Sequence, residues 1–345
     1  MVDWTLASQI AQFVAGKPET VPLGAKLADA SEESERLVTA YTRLRPSDPL
    51  PRAEAVGRPE WIEANLASMS DLLDSVTERV TDRLGALRGP LQAAAGYLLA
   101  AEIGVVVGYL SQRVLGQYEV VLLDPDSKGR LLFVEPNIAD AAKTMGAGVD
   151  PDEFLRWVAL HETTHAVQFG GVPWLRPHLA GLVRELTGAL SLDPGKLFSG
   201  LPGLDDLKGL LDAVREGGVA ALMLNPEQRD LVDRVQAFMA VLEGYAEHVM
   251  DAVGADVIPN LPELRAGLQR RRADRTGLLR VFEKMIGMDL KMRQYEQGKR
   301  FCDGVVELAG IEGLNRVWTG PELFPTMAEL DDPAGWLERT APAAA

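Results

Sequence analysis

A single cysteine, Cys302, stands in a chain of 345 residues, so no intrachain disulfide can form and stability must come from packing. That usage fits a reducing compartment, and a cytoplasmic location is the expectation. Positive charge is also short. Thirty-five Lys and Arg face 50 Asp and Glu, for a formal net charge of −15, and nothing in such a balance would neutralise phosphates, which excludes nucleic acid as an expected partner. The N-terminus, Met1-Val2-Asp3-Trp4, has no basic stretch leading into an apolar run, so no signal peptide is read. Long apolar runs are nearly absent. Leu91 to Leu110 comes nearest, interrupted only by Gln92 and Glu102. Glu102 would be costly in lipid and the Ala and Gly content lowers the hydrophobicity, so a central buried helix is expected there and no membrane span.

Histidine is scarce as well, with four residues in all. Two of them fall in Leu160-His161-Glu162-Thr163-Thr164-His165-Ala166-Val167-Gln168-Phe169, which contains H-E-x-x-H. Residues four apart lie one above the other on a helix, so His161 and His165 can offer two imidazole nitrogens to one metal ion. Glu162 sits on the flank of that pair. Zinc is the expected cofactor: it polarises a water and the Glu162 carboxylate takes the proton, the working core of a metallohydrolase acting on a peptide or small amide bond. Phe154, Leu155, Val158, His161, His165 and Phe169 recur at helical spacing, which places the histidines on the apolar face.

The remaining composition, 47% hydrophobic and 25% charged, is that of a globular protein. A chain of this length can form one domain or two. The expected organisation is an N-terminal helical region over 1–90 and a metal-site region over 91–345, or one continuous domain; the oligomeric state is not legible. Helices are expected over residues 3–15, with Trp4, Leu6, Ile10, Phe13 and Val14 as apolar members, over 31–44 with Ser31 as N-cap, and over 61–87, with a Pro-rich linker at 45–59. Residues 118–123 and 130–135 flank a Pro/Asp/Gly turn and read as a β-hairpin. Just ahead of the metal helix, such a ribbon offers an edge on which an extended peptide could pair. Asp150 and Pro151 open the metal helix as N-cap and first residue, and Gly170-Gly171 closes it. Asn225-Pro226 caps a long helix reaching about Val253; a further helical region over 276–308 is expected to break near Gly287 or Gly298, and the tail from Gly320 is expected to be irregular.

A catalytic zinc needs a third protein ligand and an open position. The metzincin pattern would place glycine and histidine where this chain has Gln168 and Gly171, so that class is excluded. Three candidates remain. His178 follows a short turn after the metal helix. Glu243, in Leu242-Glu243-Gly244-Tyr245-Ala246-Glu247-His248, is an acid on a stripe with Met239, Ala246 and Met250, and a buried carboxylate demands a cation. Glu247, one turn on, is placed to accept the second ring N–H of a ligand histidine. His248 competes but points away from Glu243. Glu243 is favoured. For the oxyanion, the candidate donors are Tyr245, Tyr295, Arg293 and Arg300.

These two segments, together with Leu314-Asn315-Arg316-Val317-Trp318 and Pro321-Glu322, resemble the zincin-like hydrolases found mainly in actinobacteria, over nearly the whole chain. The length and N-terminus are similar to a branch associated, as a genomic label, with biosynthesis of the deazaflavin redox coenzyme (factor 420). The resemblance implies a mainly α, zincin-like metallopeptidase fold with a small β-hairpin beside the H-E-x-x-H helix. It implies zinc on His161, His165 and Glu243 with Glu162 as base. The alternative is a catalytically silent binding or scaffold protein of the same fold; binding of the deazaflavin itself has no glycine-rich phosphate loop behind it.

Overall fold

The computed structural model describes residues 2–19, 21–83, 90–120, 129–145, 149–189, 226–273 and 288–341. Two units divide the chain: Met1–Pro173 with Val249–Asp274, and Trp174–His248 with Arg275–Ala345. In the first lie α1 (Trp4–Ala15), α2 (Gly24–Thr42), β1 (Ala53–Val56), α3 (Arg58–Arg83), α4 (Pro90–Ser111), β2 (Gly116–Glu119), β3 (Arg130–Val134), α5 (Glu135–Thr144) and α6 (Pro151–Gly171). The second opens with α7 (Leu175–Ala189). Next comes α8 (Pro226–Val257), one continuous helix within which the division falls, so its residues are tied covalently to both units. α9 (Leu261–Ala273) returns to the first unit; α10 (Met288–Leu314), three short 3-10 turns and α11 (Pro333–Arg339) complete the second. Among the described residues the chain is mainly helical with a small three-stranded sheet, as expected.

The sheet orders the first unit. β3 reads Arg-Leu-Leu-Phe-Val, an apolar run without alternation, which suits a strand covered on both faces. It lies in the middle of the order β1-β3-β2. Leu131 and Phe133 face a core built with Leu27, Ile138, Phe154, Leu155 and Val158 of α2, α5 and α6. Leu132 and Val134 face the opposite core, with Ala7, Ala11, Trp61, Ile62 and Val107 of α1, α3 and α4. The expected hairpin pairing is present, β2 antiparallel to β3, with β2 spanning Gly116–Glu119 and so beginning two residues ahead of the segment expected. Residues 121–128 of that hairpin lie outside the described residues. β1 was not expected at all. It runs inside the Pro-rich linker and pairs in parallel with β3, Ala53 to Leu131 through Val56 to Val134.

Three helices differ from expectation for identifiable reasons. α2 begins at Gly24, and Ser31 is buried inside it instead of capping it; the chain enters the helix at Leu23, whose N–H donates to Glu135 Oε1 at 2.6 Å. In α1 the fully buried residues are Ala7, Ala11 and Ala15, with Trp4 and Leu6 packed beside them, while Phe13 is 87% exposed. Small residues meet small residues here. A Cβ on Gly104 of α4 would come within 2.7 Å of the Ala7 carbonyl, and one on Gly108 within 2.5 Å of that of Ala11, so the two backbones touch. α4 is consequently packed on one side only: Tyr97, Leu98, Leu99 and Val105 are exposed, and the helix is not the fully buried one expected. Among the described residues no helix is long and apolar enough to cross a membrane.

In the second unit α10 runs unbroken through Gly298, one of the two places where a break is expected, and Gly287, the other, lies outside the described residues; its non-helical residue is Gly310, at φ +69°. Gly298 serves proximity. A Cβ there would fall inside the Ala240 carbonyl, and one on Gly244 would overlap the Gly298 backbone, so α8 and α10 cross in backbone contact. In the tail, expected to be irregular with short turns, the turns are present, and α11, capped by Asp332 and burying Trp336, is an added helix. Gly298→Ala should destabilise the protein by about 3 kcal/mol, because the crossing has no slack. Gly181→Ala, within α7 and with nothing within 4 Å of its Cβ, should instead stabilise by about 0.5–1 kcal/mol. Urea unfolding midpoints of the two variants test the contrast.

Candidate metal centre

α6 starts where its sequence says it should. Asp150 accepts from the Asp152 N–H at 2.8 Å, Pro151 takes the first position, and Asp152 and Glu153 place negative charge in the first turn. At its far end Gly170 and Gly171 lie against Pro46, Leu50, Leu44 and the Arg45 backbone, and the Gly170 carbonyl accepts from Ser47 N–H. Both ends are therefore pinned. Between them Phe154, Val158, Glu162, Thr163, Ala166 and Val167 are buried, while Trp157, His161, His165 and Phe169 form a half-exposed row at four-residue spacing.

Within that row the two histidines meet. Their Nε2 atoms stand 3.2 Å apart, with the rings edge to face. The other nitrogen of each ring is engaged: His165 Nδ1 with Gln168 Oε1 at 2.8 Å, and His161 Nδ1 with the Met250 thioether sulfur at 3.1 Å. Gln168 is fully buried, and its carbonyl oxygen calls for an N–H, which fixes the proton of His165 on Nδ1. With that proton on Nδ1, the Nε2 of His165 presents its lone pair toward the Nε2 of His161, a pair of nitrogens that one cation can take up together. Two nitrogens about 2.0–2.1 Å from a tetrahedral ion stand about 3.3–3.4 Å apart, so the spacing fits zinc. Trp157 stacks on His161 at 6.4 Å and holds the ring plane from the other side.

Met250, on α8, touches His161, and Glu243 lies seven residues earlier on that helix, two turns back on the same face. Among the described residues, His161, His165 and Glu243 form a group whose ligand atoms lie within 4.8 Å of one another and could hold a metal ion. Glu162 is not of that group. It is 8% exposed, and its Oε2 accepts from the Tyr118 backbone N–H of β2 at 3.0 Å.

The other sequence candidates have definite surroundings. His178 sits on α7 among aromatic rings, 5.4 Å from Trp174 and 5.5 Å from Phe238, and burial followed by the Arg234 charge lowers its pKa against the opposing pull of Glu185. His248 is buried, with Nδ1 against Asp303 Oδ1 at 2.8 Å. Tyr245 is fully buried; its hydroxyl donates to Asn315 Oδ1 at 2.8 Å, and its ring stands edge to face on Trp318. The C-terminal segment Asn315–Trp318 thus seats Tyr245. Glu247 is half-buried one turn after Glu243. The far nitrogens of the two histidines are engaged by Gln168 and Met250, neither of which the sequence alone singles out. A buried amide three residues after the second histidine was the available signal. The side chain of Tyr295 lies outside the described residues, as does that of Arg293. Arg300, on α10, is exposed, 4.0 Å from Asp331.

A long buried helix carrying H-E-x-x-H, followed by an acid on a second long helix, is the layout of a zincin metal site. The chain belongs to the zincin-like metallopeptidase family, whose model matches residues 2–337. It is similar along the whole of both chains, at 32% identity and a TM-score of 0.72, to a crystal structure from Chloroflexus aurantiacus described as a novel fold with a provisional hydrolase assignment. No curated protein matches it.

Two expectations follow. Gln168→Ala should weaken zinc binding about 10- to 100-fold by releasing the His165 tautomer, measured by competition with a chromophoric chelator. Asp303 supplies the second. Burial pushes its carboxyl up, but hydrogen bonds from His248 and Lys299 outweigh this and hold it below the usual carboxylate range. A carboxyl held low by folding stabilises the protein above its unfolded pKa, and that contribution is lost as pH falls through the folded value. Asp303→Asn should therefore flatten the acid limb of the stability curve below about pH 4, read from thermal unfolding across that range.

Proposed function

We propose that this chain is a zinc-dependent hydrolase of peptide or amide bonds, with His161, His165 and Glu243 as metal ligands and Glu162 as base. The observation that carries the reading is the approach of the two Nε2 atoms to 3.2 Å, with the far nitrogen of each ring engaged by Met250 or Gln168. The donor chemistry supports zinc: two imidazoles and one carboxylate make a three-ligand catalytic set. When bound, the ion supplies Lewis acidity toward water and the scissile carbonyl. Glu162 follows His161 in the chain, is deeply placed and stays outside the ligand group, which suits proton transfer and not ligation.

The surroundings favour an extended main chain as substrate. Leu115 and Val134 are hydrogen-bonded across the β2–β3 ladder. With the register of these strands, Gln117 and Glu119 also face β3, and Gly116 and Tyr118 turn their N–H and C=O groups outward. Glu162 lies against this edge.

Glu162→Gln should retain zinc and lower turnover about 10²- to 10⁴-fold. His161→Ala and Glu243→Ala should lose the metal. Metal content after dialysis, by atomic absorption, and hydrolysis of a quenched fluorescent peptide library are the measurements. Wild-type turnover by Glu162→Gln would sink the mechanism, and full zinc retention by Glu243→Ala would remove it from the ligand set.

A further inference from the structure

The carboxylate assigned as base is already engaged by the backbone. Glu162 Oε2 accepts the Tyr118 N–H at 3.0 Å, and that N–H is one of the outward groups of β2. The side chain lies flat on the strand: a Cβ at Gly116 would come within 2.5 Å of Glu162 Cγ and 3.0 Å of its Cδ and Oε1. Two of the strand's four residues thus accommodate this one side chain, Gly116 by having none and Tyr118 by its amide. The same amide is the donor that an incoming main-chain carbonyl would need in order to pair with this edge. One N–H faces two acceptors.

We propose, resting on the hydrolase reading above, that Glu162 also acts as a plug on the edge of β2. In the substrate-free protein it caps the Tyr118 N–H. An extended main chain entering beside β2 takes that N–H with a carbonyl, and the displaced carboxylate is delivered to the metal centre as base. No bond is made or broken in this step; one hydrogen bond is exchanged for another. The exchange couples occupancy of the edge to readiness of the base, so small substrates without a flanking main chain leave Glu162 capped. Tyr118 is a positioning residue acting through its backbone, and Gly116 is the space that lets the plug seat. A charged acceptor holds an N–H more strongly than a neutral carbonyl does, so the plug works against peptide binding until further pairing along the strand outweighs it.

Metal-free protein provides the test, independent of turnover. Glu162→Ala removes the plug, whereas Glu162→Gln keeps an oxygen that can accept the Tyr118 N–H. Amide hydrogen exchange at Tyr118 should be slow in wild type and Glu162→Gln and at least about tenfold faster in Glu162→Ala. A capped hexapeptide of alternating alanine and leucine should bind Glu162→Ala about tenfold more tightly than wild type, by fluorescence titration, with Glu162→Gln close to wild type. Equal exchange at Tyr118 in all three proteins overturns the proposal, as does peptide binding that is unimproved or undetectable in Glu162→Ala. Zinc retention in the Glu243→Ala variant bears on the metal site alone, so failure of that reading is told apart from failure of this one.

Discussion

Two imidazole nitrogens stand 3.2 Å apart on successive turns of α6, close enough to serve one ion together. The structure around α6 holds both rings against rotation. Gln168 holds one ring by its far nitrogen, Met250 holds the other, and Trp157 lies along the plane of His161. An amide fully removed from solvent is a demanding partner, because an unmatched carbonyl there would cost about 1–3 kcal/mol. Gln168 therefore selects one tautomer of His165. The site is assembled by hydrogen bonds behind the ligands as much as by the ligands themselves.

Placing α6 is the work of β3. Because the strand is apolar on both sides, it carries helices on both, and α6 is packed through Phe154, Leu155 and Val158 against the face presented by Leu131 and Phe133. β2, on one side of β3, then falls beside the N-terminal half of the H-E-x-x-H segment. On the other side β1 pairs in parallel, and Glu54 meets Arg130 of β3 through two hydrogen bonds at 3.1 and 2.6 Å, which raise the pKa of the arginine. The guanidinium and carboxylate are both partly exposed, so the pair contributes register more than stability.

How much of this the sequence discloses depends on whether the deciding contact is local. The start of α6 and the meeting of its two histidines follow from residues within four positions of each other, and both could be read directly. The antiparallel pairing of β2 and β3 was legible from two β-rich runs around a turn. β1 was not, because four residues of mild alternation, Ala53 to Val56, gain their meaning from a partner more than seventy positions away. The beginning of α2 was missed for the same reason: its entry is capped by Glu135, which no local pattern foretells. The Ala7-Ala11-Ala15 stripe looked secondary beside Phe13 and Ile10 until Gly104 and Gly108 supplied the groove that fits it. Gln168 shows its role only through its burial and the ring it meets, neither of which the pattern of residue types discloses.

The glycine contact between α8 and α10 bears on how steady a neighbouring acid can be. Where helices meet through side chains, rotamer hops let them slide by fractions of an ångström; where backbone rests on backbone, as at Gly244 and Gly298, there is no compliant layer to yield. Glu243 is the residue immediately before that point of contact. Its carboxylate swings only from its own side-chain torsions, with little wander added from the helix beneath, and heating should blur its mean position later than it blurs acids mounted on looser crossings.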